Sequence, residues 1–344
     1  MLLSIIFVID TLLVIRKSTR ARSDVNYSYS DLPSVPNDQL KFTKVLESRV
    51  FVESKFQKIK GRDLTADWCC TNGLRYPVII PTPEGLGMTM PSASITVREI
   101  ANVCGLTRIV EVIEVATQST RTMTLDKWAA YFEQPPRQRR QILNVISLEF
   151  SDTPLAKLVK RPRIVGDLDW LDRFWPASRR AAGEYPKVQL YCLMGVKDSY
   201  TDFHIDFGGT SVFYHLLSGE KVFYFIEPTP ENLEKYSAWS TSSDQSDVFL
   251  GDQVDECVRV HLRAGNTMMI PAGWIHAVYT PKDAIVIGGN FLHGLDIARQ
   301  LSISRIEIET NVPHKFRYGH NLAAIWICGI ASSQGGSRLH LEIR

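Results

Sequence analysis

Two histidines and one aspartate carry the chemistry that this sequence offers: His204 and Asp206 in YTDFHIDFGGT, and His276 in IPAGWIHAV. Two imidazoles and one carboxylate form the facial ligand set of a non-haem Fe(II) oxygenase, which leaves coordination positions open for a cosubstrate and O2. On a strand, side chains i and i+2 point to the same face, so a third ligand from a distant strand can close the triangle while Ile205 turns into apolar packing. A zinc site or hydrogen-bonded structural histidines would satisfy the same spacing, and spacing alone leaves those alternatives open.

The surroundings favour a metal held between strands. SVFYHLLSGEKVFYFIEP reads as a strand, a Ser-Gly turn and a second strand, and His276 follows PAGW after the strand-like run TMMI. Together these segments predict a small barrel with the ligands on facing strands. A ferrous centre with three protein ligands needs a bidentate cosubstrate, usually 2-oxoglutarate, whose far carboxylate requires a cation and hydroxyls. Lys221 on the second strand of the predicted hairpin is the candidate cation, with Thr201 and Tyr214 as hydroxyl donors. Away from the triad, an ordinary exposed lysine and a core tyrosine would explain Lys221 and Tyr214 equally well.

The elements needed to position these residues are legible in outline. Residues 1–40 divide into a hydrophobic leader, MLLSIIFVIDTLLVI, and a polar, turn-rich linker. The leader is short for a membrane span, contains Asp10 and lacks both a basic lead and a small-residue cleavage signal, so no membrane partner is expected. Residues 41–184 read as an α/β region packed on the barrel. FTKVLESRVFVESKF predicts a helix, Thr96 and Glu99 form a capping box for a helix ending at Gly105, and RIVEVIEVA alternates as a strand. A further helix begins near Thr124 and stops before Pro135, and LNVISLEFS is strand-like. The barrel core is expected over 185–293, interrupted by a helix capped by Thr229 with Pro230 in its first turn. A C-terminal helix is expected within 294–318 and an irregular tail over 319–344.

Bulk properties exclude more than they assign. The 39 Lys and Arg against 37 Asp and Glu leave a net charge of +2, so no global basic field announces nucleic acid. The cationic runs KLVKRPR and PPRQRR read as solvated faces rather than sequence-specific DNA contacts. Six cysteines without CxxC spacing argue for packed thiols, against both a disulfide scaffold and a zinc finger.

The ordered stretches LNVISLEFSDTPLAKLV, YCLMGVKDSYTDFHIDFGGTSVFYH, GEKVFYFI, PTPENL, GDQVD, PAGWIHAV and GGNFLHGLDI closely resemble the JmjC histone lysine demethylases, in the group that carries a plant homeodomain finger. The resemblance spans roughly residues 40 to 318. It implies a mostly β fold with an α/β surround, built on a double-stranded β-helix (a cupin-like jelly-roll JmjC barrel). It also implies Fe(II) and 2-oxoglutarate as cofactors, O2 as cosubstrate, and methyl loss from lysine as formaldehyde, with succinate and CO2 as the other products. On this chain His204, Asp206 and His276 match the iron ligands, and Thr201 and Lys221 match the 2-oxoglutarate contacts. Tyr214 and Asn144 match residues lining that pocket, and Asn290 matches an asparagine beside the cosubstrate and the methyllysine entrance.

The implied partners are the methylated histone H3 tail and the nucleosome, and the implied compartment is the nucleus. Mono- or dimethyllysine nine or twenty-seven is the leading substrate. Lysine thirty-six, protein hydroxylation and a non-catalytic chromatin scaffold are the alternatives. No Cys/His spacing here could build the group's finger, and Phe213 replaces the tryptophan common in relatives, an aromatic exchange that should leave its strand packed.

Overall fold

In the computed structural model, residues 38–313 are described except 244, 246 and 247. The hydrophobic leader, most of the polar linker and the C-terminal tail therefore lie outside the described residues. Eleven strands form one hydrogen-bonded sheet: β1 (Val52–Glu53), β2 (Val78–Ile80), β3 (Ile109–Glu114), β4 (Ser119–Thr124), β5 (Leu143–Glu149), β6 (Tyr191–Gly195), β7 (Ser199–His204), β8 (Ser211–Ile226), β9 (Val258–Arg263), β10 (Thr267–Ile270) and β11 (Ile275–Phe291). The order is β1-β9-β8-β11-β6-β5-β3-β4, with β10 joining β2 to β8 and β7 attached to β11.

This order corrects the expected closed jelly-roll barrel. The sheet is mixed, has an α/β surround and is not closed into a barrel: among the described residues its path ends at β1, which pairs only with β9, and at β4, which pairs only with β3. The physical reason lies at those two ends: β5 pairs β6 and leads on through β3 to β4, and among the described strands neither β4 nor β1 has a second partner, so no ladder joins the ends.

The predicted hairpin over SVFYHLLSGEKVFYFI is also replaced, by a single strand of 16 residues. Its two halves do not pair with each other; both pair with β11, the first half adding β10 and the second adding β9. Gly219 sits where the expected turn would be, at φ +82°, and the ladder to β11 shifts register there. A Cβ at Gly219 would lie 2.1 Å from the Asp283 carbonyl oxygen, so the bend depends on backbone approach that only glycine permits. β11 bends with it, pairing β7 through its first half and β6 through its second. The two long strands thereby turn a corner together and bound a cavity.

Local chemistry elsewhere follows the sequence closely. The Thr96–Glu99 capping box opens the helix Val97–Cys104, Thr124 caps Leu125–Phe132, and Thr229 caps Pro230–Thr241. The exception is the first predicted helix, which stops at Glu47. Beyond it Phe51 packs on Tyr224 with ring centroids 4.5 Å apart, and Val52–Glu53 adds a parallel strand to β9, so tertiary pairing overrides the helical spacing. Phe213 is fully buried, as the aromatic exchange predicted, together with Phe223 and Phe225, each contributing about 1.5–3 kcal/mol of burial. Parts of the two basic runs are internally paired: Arg139 holds Asp283 at 2.6 Å, and Arg161 holds Asp169 and Asp172 at 3.0 and 2.5 Å.

Replacing Gly219 by Val should cost about 3 kcal/mol or more of stability, since it combines positive-φ strain with a backbone clash. Denaturant unfolding of the variant beside wild type reads this directly, and an unchanged midpoint would refute the role given to the bend.

Candidate metal and cosubstrate site

His204 is the last residue of β7 and His276 the second of β11, and the ladder sets them directly opposite one another. Asp206 follows β7 in extended conformation and opens the tight turn Phe207–Gly209. Ile205 turns instead into the apolar cluster around Phe203 and Trp239. The three ligand atoms all lie within 4.8 Å of one another, with His276 Nε2 and Asp206 Oδ2 3.9 Å apart, a span that small movements close onto one ion bonded at about 2.0–2.2 Å.

Each imidazole is oriented by the nitrogen that faces away from the centre. His204 Nδ1 donates to the Asp202 carbonyl at 2.8 Å and His276 Nδ1 to the Trp274 carbonyl at 3.0 Å. A carbonyl can only accept, so the neutral imidazole carries its proton on Nδ1 and turns its Nε2 lone pair toward a metal. Burial, reinforced by the neighbouring His204, holds His276 well below the usual histidine range, in the neutral form that ligation requires. Burial pushes the Asp206 carboxyl up, opposed by His204 and by a hydrogen bond from Asn290, whose amide also donates to Thr210 Oγ1 at 2.8 Å.

The triad opens into a cavity of about 1110 Å³ that is also lined by Asn144, Thr201, Tyr214, Lys221 and Asn290. All eight residues singled out in the sequence therefore face one space, although they come from β5, β7, β8, β11 and the turn after β7. Several polar groups of the cavity are under-satisfied. Lys221 is 3 % exposed, and its ammonium donates to Thr280 Oγ1 at 2.7 Å. Asn144 Oδ1 and Tyr214 Oη are buried without a hydrogen-bond partner, while the Asn144 amide donates to Thr201 Oγ1 at 3.1 Å. Burial lowers Lys221 to about 7 and raises the Tyr214 phenol. An ammonium among neutral hydroxyls is costly in such a site, whereas an anion beside it would restore its charge.

Sequence reading missed the support for Lys221. Thr280 accepts from both Lys221 and Ser199 Oγ, the latter at 2.8 Å, and Gly195 leaves the room, since a Cβ there would lie 2.6 Å from Lys221 Nζ. Thr280 stands four residues after His276 on the same strand, so a period-two reading could have found it; Ser199 and Gly195 required the tertiary pairing.

Residues 191–291 match the family described as JmjC domain, hydroxylase. The chain is a JmjC-domain protein. It is 44 % identical over 328 residues to Lysine-specific demethylase 2A of Xenopus tropicalis, covering 91 % of this chain and 28 % of that one. It is 45 % identical over 287 residues to Lysine-specific demethylase 7A of Homo sapiens, covering 83 % and 30 %, and 44 % identical over 289 residues to Lysine-specific demethylase 7B of Danio rerio, covering 83 % and 49 %. The chain thus spans between about a quarter and a half of the length of these relatives. Within this JmjC domain, His204, Asp206 and His276 form the metal-binding triad typical of Fe(II)/2-oxoglutarate dioxygenases.

The depressed Lys221 makes a signed prediction for the ligand-free JmjC domain. Between about 7 and the ordinary value of 10.5 the unfolded chain holds a proton at this lysine that the folded chain does not. The charge penalty is therefore full below that window and is relieved as pH rises through it. Thermal melts across the window should show this rise in wild type and lose it in Lys221→Met; equal slopes in the two proteins would contradict the assignment.

Proposed function

We propose that this chain is a nuclear Fe(II)/2-oxoglutarate-dependent demethylase of mono- or dimethyllysine in the histone H3 tail, with lysines nine and twenty-seven as first substrates. The observation that carries this reading is the shared cavity: it is lined by an intact metal triad and also by a buried lysine without a counter-charge and by two residues with orphaned polar atoms. A bare metal-binding barrel or a scaffold has no need of that second group. A dicarboxylate reaching from the triad to Lys221 accounts for both ends, and relatives whose names are lysine-specific demethylases support the methyllysine substrate.

The roles follow from the chemistry of each residue. His204, Asp206 and His276 would hold Fe(II). Lys221, with Thr201 and Tyr214, would bind the distal carboxylate of 2-oxoglutarate, and Asn144 would line that end. When bound, the metal and its cosubstrate supply the oxidising power that removes hydrogen from an N-methyl carbon. The chain's own contribution is placement and exclusion. Val212, Phe223, Ile270 and Val278 give the cavity apolar walls that keep water away from the reacting centre. Asn290, bonded to Asp206 and Thr210, fixes the carboxylate at the edge where a methylated side chain would enter. Removal of a carbon-bound hydrogen does not by itself bar trimethyllysine, so preference for lower methylation states rests on pocket size.

Anaerobically purified protein loaded with Fe(II), then given 2-oxoglutarate and O2, should remove methyl groups from defined methylated H3 peptides, read as stepwise loss of CH2 by mass spectrometry. His204→Ala should lose more activity than the roughly 10–100-fold that removing an outer-shell partner costs. Gain of one oxygen would instead identify a hydroxylase, and absence of product despite bound metal and 2-oxoglutarate would reject the demethylase reading. Calorimetry in buffers of different ionisation enthalpy gives a separate check: above about 7, where free Lys221 is neutral, 2-oxoglutarate binding should take up a proton, and it should not in Lys221→Met.

A further inference from the structure

The metal ligands reside on two segments, and one helix that follows both in sequence packs against each of them. This helix, Ile297–Glu309, lies outside the stretch matched to the JmjC family. Its Gln300, Ile303 and Glu307 are buried. On the Asp206 side it meets the turn Phe207–Gly209. The Gly208 amide donates to Glu307 Oε1 at 2.6 Å, and a Cβ on Gly209, at φ +60°, would lie 2.8 Å from Gln300 Cα. On the His276 side it meets the turn before β11, where a Cβ on Gly273 would lie 3.0 Å from Arg299 Cδ and 3.4 Å from Ile303 Cδ1. The first turn of the helix is tied to the segment that follows β11 by Gln300, whose amide donates to the His293 carbonyl at 2.9 Å.

A carboxylate only 9 % exposed is an expensive way to fill space, because desolvation opposes its charge. The short bond from a backbone N–H is of the charge-assisted kind, stronger than a neutral hydrogen bond and directional. It grips the backbone two residues beyond Asp206, in a turn whose positive-φ glycines leave it little stiffness of its own. Glu307 also lines the cavity, so the same side chain spans from the turn to the site.

We propose that Glu307 is a positioning residue for the metal centre: through Gly208 it holds the Asp206 turn against the Ile297–Glu309 helix, and that helix sets the Asp206 carboxylate at its distance from His276. The inference rests on the metal-site reading and is independent of which substrate is demethylated.

The test is Co(II) affinity of the full chain, followed by the visible absorption of the bound ion, together with thermal melting of the metal-free protein. Glu307→Ala should bind Co(II) about 10–100-fold more weakly, as loss of an outer-shell support does. Glu307→Gln should restore most of the affinity, since its amide oxygen still accepts from Gly208. A purely structural role would lower the melting temperature and leave the affinity of the folded protein unchanged, and that result overturns the proposal. Should Glu307→Ala fail to fold, Glu307→Asp is decisive: its carboxylate, one methylene shorter, falls short of Gly208, so wild-type affinity in that variant also overturns the proposal. Because no peptide is present, failure of the demethylase reading would leave this result intact, and the reverse holds too.

Discussion

The register that sets His276 opposite His204 is the constraint on which the rest of this structure depends. Side chains alternate along a strand, so a slip of one residue would send either imidazole to the far face and leave Asp206 with a single partner. The register is secured from two sides at once. β11 pairs β7 through His276, Val278, Tyr279 and Thr280, and it pairs β8 over almost its whole length. Packing of Phe223 and Phe225 beside the His276 ring, with centroids 5.9 and 5.5 Å away, adds an apolar penalty to any slip.

From that register the cavity follows. β8 and β11 bend together near Gly219, so residues on their first halves and their second halves face one space from different directions. Tyr214 and Lys221, seven residues apart on a single strand and on either side of the bend, thereby line the same cavity. It also permits a sheet that surrounds a site without closing. β5 extends the sheet beyond β6 and brings Asn144 with it, so the open arm of the sheet delivers a residue to the site.

The electrostatics of the triad and of Lys221 are complementary. At the triad, burial keeps an imidazole neutral and thus able to ligate, while backbone carbonyls choose its tautomer. At Lys221, burial acts on a cation and lowers its proton affinity, which leaves a site that favours an incoming anion. Both effects arise from the same low-dielectric space, and each would be weak on an exposed sheet.

Residue chemistry and spacing by themselves marked His204, Asp206 and His276 as a candidate ligand set, with Lys221, Thr201 and Tyr214 as candidates beside it, and they determined the helix caps at Thr96, Thr124 and Thr229 and most strands. The caps and strands depend on interactions within a few residues, which is why they are legible in sequence order. Tertiary structure alone decided three things. Ser218-Gly219 is a bend rather than a hairpin turn, because Asp283 of β11 approaches too closely for anything but glycine. The sheet stays open, because its path runs out to β1 and β4, which share no ladder. Val52–Glu53 leaves the helical pattern, because β9 offers it a partner. In each case the local signal was compatible with two conformations, and contacts from tens to hundreds of residues away selected one.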